Sequence, residues 1–236
     1  MKVNKFIWAD LSSYQPERIK PFYEAVFGWK YNGEEYSIAH KENKEVVGLY
    51  QTPLKFQKIK MPSFWMSYIQ VEDVLETVEK AKSLGGIIEL VDIENSIGKV
   101  ALIRDTLGAG FTVYQGSQLD SRTKSEENTL IFNELHISDM QKAIIFYQGL
   151  FNWNFKKANN SVEVFSDSFE EKIITIRQID NTIKGKYEYW VCVFGVKNLQ
   201  STSNVILKNG GLIVSEEENR VLCSDGSEAF FYIQEV

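Results

Sequence analysis

Apolar residues along this 236-residue chain alternate in short runs, switch to helical spacing, and make that switch four times. The runs "FIWADL", "FWMSYIQV", "TLIFNELHI" and "YWVCVFGV" are rich in β-branched and aromatic residues and predict strands. Each precedes a helix. In "DVLETVEKAKSLGG", Val74, Leu75, Val78 and Ala81 recur at helical spacing, Asp73 and Glu76 make a capping box, and Gly85 supplies a left-handed stop. The helix before Gly28 opens with Pro16 at a permissive position, whereas Pro21 lies deeper and predicts a kink or a late start. "EEYSIAH", "KEVVGLYQ", "SVEVFSD" and "EKIITIRQ" predict short antiparallel strands.

The same signals repeat at long range. Phe22, Tyr23, Phe27 and Trp29 return as Phe146, Tyr147, Phe151 and Trp153, each 124 positions later. Trp65 and Trp190, and Gly85 and Gly210, are 125 apart. "GFTVYQ" (110–115) corresponds to "AFFYIQ" (229–234). The polar stretch 118–127 reads as an exposed linker between domains 1–117 and 128–236. Each domain is itself double, with units of about 1–60 and 61–117, then 128–186 and 187–236. All four units share the order strand, helix, helix stop and short strands. The aromatic burst at each helix end is therefore a packing signal, with Phe22, Tyr23 and Phe27 on the face that meets a sheet.

Composition narrows the function. Apolar residues make up 44% and charged residues 25%, which is globular usage. A net charge of −6 argues against a nucleic-acid partner. No apolar run is long enough to span a membrane and the start has no long apolar core of a leader, so a cytoplasmic protein without a membrane partner is expected. Cys192 and Cys223 fit a reducing compartment and predict no disulfide. Glycine-rich phosphate loops and nucleophile–base arrangements are absent. "LKFQKIKMP" (54–62) carries three lysines but is too short for a nucleic-acid site.

The succession of "ERIKPFYEAVFGW", "VEDVLETVEKAKSLGG" and "DTLGAGFTVYQ", echoed by "NELHISDMQKAIIFYQGLFNW", resembles the vicinal oxygen chelate superfamily. That superfamily includes glyoxalase I, bleomycin-resistance proteins and extradiol dioxygenases. The resemblance implies an α+β fold of two tandem glyoxalase-like domains. Each would be two βαβββ units forming a curled mixed sheet around a cavity. Metal-using members place ligands on the first and last strands of their units. The matching positions here are Ala9, Met66, Asn133, Val191, Thr112 and Phe231, with others near Gly48 and Thr175, and none is His, Glu or Asp. His40 and His136 are the only histidines and fall in different domains. No metal and no cofactor are expected, and metal-dependent chemistry is disfavoured.

Alternation from those positions places Ala9, Leu11, Ser13, Met66, Tyr68, Gln70, Thr112 and Tyr114 on the cavity face of the first domain, with Tyr50 a further candidate. The ligand-binding set is Ser13, Tyr50, Met66, Tyr68, Gln70, Thr112 and Tyr114, suited to an uncharged or aromatic small molecule. In the second domain the same rule selects Asn133, Leu135, Ile137, Val191, Val193, Phe231 and Ile233, a nearly apolar face that predicts a filled cavity. Asp10, Asn133, Glu134 and His136 are weaker candidates. Glu134 and His136 share a strand face, yet an acid near a strand end usually satisfies backbone groups. Catalytic residues stay unassigned.

Two functions compete. One is binding of a small organic molecule in the first-domain cavity without metal ligands. The alternative is a glyoxalase-type lyase or isomerase acting on a small carbonyl substrate. A monomer is expected, its two halves forming an intramolecular pseudo-dimer, with a weak homodimer as the other assembly.

Overall fold

The structure, a computed structural model, describes residues 4–119, 126–165 and 172–236. Most of the expected linker lies outside these residues.

Four modules follow one another. The first is β1 (Lys5–Ser13), α1 (Pro16–Phe27), β2 (Lys30–Asn32), β3 (Tyr36–Lys41) and β4 (Lys44–Gln51), followed by a short α2 (Leu54–Lys58). The second is β5 (Phe64–Gln70), α3 (Val74–Ser83), β6 (Ile87–Asp92), β7 (Lys99–Arg104) and β8 (Gly110–Gln115). The third is β9 (Leu130–Ile137), α4 (Met140–Phe151), β10 (Asn154–Ala158), β11 (Ser161–Phe165) and β12 (Lys172–Gln178), followed by a short α5 (Asn181–Lys184). The fourth is β13 (Tyr189–Val196), α6 (Leu199–Lys208), β14 (Leu212–Glu217), β15 (Arg220–Ser224) and β16 (Phe230–Glu235).

Two eight-stranded mixed sheets result, ordered β2-β3-β4-β1-β5-β8-β7-β6 and β10-β11-β12-β9-β13-β16-β15-β14. The second order is the first shifted by eight, as the repeat requires. In every module the first strand pairs in parallel with the last, and the remaining pairings are antiparallel. Each sheet keeps two edges, so the sheets are curled rather than closed. The fold is α+β with two tandem glyoxalase-like domains, as the resemblance implies.

Local chemistry sets the helix ends. Asp73, Asp139 and Asn198 cap α3, α4 and α6 by accepting from the backbone N–H three residues on. Gly28 and Asn152 close α1 and α4 in the left-handed region, at φ 71° and 56°. Pro21 does not delay the start of α1, which begins at Pro16 and runs through Pro21 to Phe27. Buried Ile19, Phe22, Tyr23 and Phe27 hold it through packing, which outweighs one missing hydrogen bond.

The described residues divide into two compact units, and each draws on both ends of the sequence. One is built within 1–7, 67–121 and 132–191, the other within 8–66, 122–131 and 192–236. The core of the first joins Ile69, Ile103 and Phe111 to Leu135, Phe146 and Phe151. The core of the second joins Leu11, Phe22 and Trp65 to Phe194, Phe231 and Ile233. In the second unit, Tyr23 stacks on Trp29 with centroids 5.5 Å apart, and Trp29 Nε1 donates to Asn128 O at 2.8 Å. In the first unit, Tyr147 stacks on Trp153 at 5.7 Å, and Trp153 Nε1 donates to Asn4 O at 2.9 Å.

Candidate functional site

Strand alternation decides which side chains leave the core. In β1, Ala9 and Leu11 enter the apolar core, so Trp8, Asp10 and Ser12 occupy the opposite face. In β9, Leu135 and Ile137 enter the core, and Glu134 and His136 take the opposite face. In β16, Phe231 and Ile233 are core residues, which leaves Tyr232 and Gln234 on the other side. The faces of β1, β9 and β16 are therefore the reverse of those expected from sequence. Those of β5 and β8 agree: Ile69 and Val113 are core residues, and Tyr68, Gln70, Thr112 and Tyr114 lie opposite.

The inverted faces uncover one polar cluster in each unit. The first is on β1, β3 and β4. Asp10 is 2% exposed, and its Oδ1 accepts from Trp8 Nε1 at 2.7 Å and from the Tyr36 hydroxyl at 2.7 Å. Asp10 lies opposite Gly48 across the parallel β1–β4 pair. A Cβ on Gly48 would collide with both Asp10 Oδ1 and the Tyr36 hydroxyl, so only glycine lets this acid settle against β4. Ser12 lies opposite Tyr50 and donates to Thr52 Oγ1 at 3.0 Å. Burial, and then the charge of Asp10, push the Tyr50 hydroxyl well above the usual phenol range.

The second cluster occupies the repeat-equivalent place on β9 and β12. Glu134 lies opposite Thr175, and His136 lies opposite Arg177. Glu134 Oε1 meets His136 Nε2 at 2.8 Å and Arg177 Nε at 3.1 Å. Glu134 and His136 are both 1% exposed, and the Arg177 side chain is about one-third exposed. The Tyr189 ring sits 5.4 Å from the imidazole, its hydroxyl pushed up to about 12 by burial and by the charge of Glu188. The same strand position thus carries an acid in both units. Asp10 is held by two neutral donors, Glu134 by an imidazole and a guanidinium.

Among the other candidates, four are tied into structural hydrogen bonds. The Ser13 hydroxyl accepts from Gln15 N at 3.2 Å, turning the chain into α1. Tyr114 is fully buried; its hydroxyl donates to Ile97 O at 2.8 Å and accepts from Gln118 N at 3.1 Å, tying the β6–β7 loop to the segment after β8. Gln70 is 1% exposed and donates to Gly116 O at 3.3 Å. Asn133 is on the core face and donates to Ser67 Oγ at 2.9 Å. Tyr68 pairs in register with Thr112, and Tyr68 keeps partial exposure. Tyr50 and Met66 belong to one compact unit, Tyr68, Gln70 and Thr112 to the other.

Sequence reasoning missed Trp8, Tyr36, Arg177 and Tyr189. The parallel register of β9 with β12 was the available signal for Arg177, because it sets that side chain beside His136. Among the described residues, no three His, Cys, Asp or Glu side chains come together to hold a metal ion. His40 belongs to the other unit from His136, with its Nδ1 3.0 Å from Ile38 O and its Nε2 3.9 Å from Glu45. The described residues therefore bring together no donor set of the kind that metal chemistry requires.

Comparison with known proteins places this architecture. Residues 6–109 match the family described as Glyoxalase/Bleomycin resistance protein/Dioxygenase superfamily. The matched stretch, most of the first domain, resembles that superfamily. A Mycobacterium bovis protein named "Putative glyoxylase CFP32" is 25% identical over 226 residues, covering 89% of this chain and 84% of the relative. Among solved structures of the superfamily fold, the Mn(II)-bound glyoxalase from Novosphingobium aromaticivorans superposes with a TM-score of 0.69. It has 11% identity and covers 99% of this chain and 82% of its own. The 2,3-dioxygenase LapB from Pseudomonas sp. KL28 gives a TM-score of 0.68 at 10% identity, covering 100% and 93%. The superfamily fold therefore runs through both domains, while identities this low carry the fold alone.

Proposed function

We propose that this protein binds a small organic molecule through aromatic and hydroxyl side chains and uses no protein-held metal. One observation carries the reading. The acids on the polar strand faces, Asp10 and Glu134, are tied off by neighbours on their own faces instead of converging with other donors. A carboxylate already satisfied by an indole and a phenol is a poor metal ligand and a good anchor for the tyrosines beside it. In one unit the partly exposed Tyr68 offers a ring face and a hydroxyl beside the Thr112 hydroxyl, and in the other the partly exposed Tyr50 offers the same groups; each suits an uncharged or aromatic ligand.

The test is a thermal-shift panel of metabolites and aromatic antibiotics on the full chain, repeated with Tyr50→Ala and Tyr68→Ala. The reading expects at least one compound whose shift is lost in one of these variants. Shifts that persist unchanged in both variants sink it.

A second reading has its own observation. The 2.8 Å Glu134–His136 contact is an acid–base dyad in form, and the mycobacterial relative carries a glyoxylase name. A lyase or isomerase acting on a small carbonyl would use it for proton transfer. Metal content of the purified protein and direct assay of hemithioacetal isomerisation decide it. Activity that survives Glu134→Gln and His136→Gln rules out this dyad.

A further inference from the structure

The lysine-bearing segment after β4 has no part in either reading. From Val46 to Val71, 26 residues, the chain has no Asp or Glu, although its net charge is −6. The middle of this stretch is α2 and the turn behind it. Leu54 is 71% exposed and Ile59 63% exposed, and Lys55, Lys58 and Lys60 are exposed between and beside them. Among the described residues, no carboxylate pairs with Lys58 or Lys60.

The segment is nonetheless fixed in place. Thr52 N donates to Ser13 O at 2.8 Å, Gln57 Nε2 to Thr52 O at 2.6 Å, and the Tyr14 hydroxyl to Met61 O at 2.9 Å. Lys60, at φ 53°, and the 3.1 Å bond from Met61 N to Phe56 O close the turn. Phe56 packs edge-on against Phe64 with centroids 6.4 Å apart, so the aromatic residue is the root and the aliphatic residues are left outside. The corresponding crossover in the other unit also exposes an aliphatic residue, Ile183 at 79%, but carries acids beside its lysines. There Lys184 is buried against Glu188 at 3.1 Å, and Asp180 precedes the helix.

We propose that the 53–62 segment docks reversibly on an anionic lipid bilayer surface, with Leu54 and Ile59 entering the interface and Lys55, Lys58 and Lys60 meeting the headgroups. Two features choose the occupant. Exposed aliphatic side chains ringed by lysines supply both forces that hold a peripheral segment on a membrane, burial of apolar surface and attraction to anionic lipid. A turn of about ten residues is also far smaller than the 20–30 residues per side of a stable protein interface. Such docking lies on the bilayer and does not span it, consistent with the lack of any helix among the described residues long and apolar enough to cross.

The experiment is co-sedimentation of the full chain with vesicles of phosphatidylcholine alone and of phosphatidylcholine with phosphatidylserine, at low and high salt. Binding is expected to the anionic vesicles only, to weaken by roughly fivefold per lysine in Lys58→Ala and Lys60→Ala at low salt, and to fall with added salt. Leu54→Ser/Ile59→Ser, both exposed and safe for folding, is expected to weaken it independently of salt. Equal binding to both vesicles, no binding to either, or binding unchanged by these variants overturns the proposal. Binding to soluble polyglutamate in place of vesicles also overturns it and assigns the segment to an acidic protein partner.

Discussion

The Tyr23 hydroxyl donates a 2.9 Å hydrogen bond to Asp225 Oδ2 across 202 residues of sequence. Tyr147 makes the same 2.9 Å bond to Asp105 in the other unit. Each aspartate also organises the loop before a closing strand. Asp105 Oδ1 accepts from the backbone N–H groups of Leu107, Gly108 and Ala109, and Asp225 Oδ1 from those of Ser227 and Ala229. The tyrosine of the aromatic burst thus ties the helix of one module to the final loop of another, joining modules one and four and modules two and three.

Removing one hydroxyl tests this tie. Tyr23→Phe and Tyr147→Phe keep the ring stacking and leave a buried carboxylate short of a donor. Each is expected to cost about 1–3 kcal/mol, the penalty of an unsatisfied buried acceptor. Urea denaturation measures it, with the partly exposed Tyr187→Phe as the control expected near zero. A cost near zero at both buried sites would mean that the hydroxyls contribute nothing beyond packing.

The same acids set a pH dependence. Burial raises Asp105 and Asp225 above the usual carboxylate range, against the opposing pull of their hydrogen bonds. A raised folded value means that the native state holds the proton more tightly than the unfolded chain does. Their contribution is then fully present below the unfolded value of about 3.9 and is lost as pH rises through the folded value. Asp105→Asn with Asp225→Asn removes that titration. The stability difference, wild type minus variant, should fall as pH rises from about 3.5 towards neutrality, measured by urea midpoints. A difference that grows with pH would show that the hydrogen bonds outweigh burial.

The module order, the helix stops, the capping residues and the strand–helix alternation were all legible, because each rests on local chemistry. The faces of β1 and β9 were not. From Ile7 to Ser13 every residue of β1 is buried, and β9 is buried throughout from Asn133 to Ile137. A strand covered on both sides carries no inside–outside alternation, so the phase must come from elsewhere. Counting from superfamily ligand positions put Ala9 and Leu11 on the wrong face by one residue, and a slip of one exchanges the two faces. Module pairing was hidden for another reason: an apolar helix face does not specify which partner covers it. The spacing of 124 between Tyr23 and Tyr147 and of 120 between Asp105 and Asp225 was a readable clue to that pairing.

The two acid clusters should respond differently to neutralisation. Asp10→Asn keeps an acceptor oxygen for Trp8 and Tyr36, both neutral, and is expected to cost about 1 kcal/mol. Glu134→Gln leaves Arg177 and any charge on His136 without their counter-charge. Loss of one partner of a fully buried pair costs roughly 3–5 kcal/mol, and rehydration of the one-third exposed Arg177 reduces this to about 2–3 kcal/mol. Chemical denaturation of the two variants side by side checks the order. Equal costs would mean that Arg177 carries no part of the second cluster.

Severing the chain between 120 and 125 examines the pairing of modules most directly. The cut separates modules one and two from modules three and four, and both apolar cores are built from residues on either side of it. Leu11 and Phe22 need Phe194 and Phe231; Ile69 and Phe111 need Leu135 and Phe151. Burying one such side chain is worth about 1.5–3 kcal/mol, so either fragment alone would expose several residues of that size. Protease cleavage at a site engineered there should leave one species at the mass of the whole chain in size-exclusion chromatography, separable into two fragments only in denaturant. Each half expressed alone should bind a hydrophobic dye and lose it when the halves are mixed. Two independently folded fragments of half mass would show that each sequence half carries a core of its own.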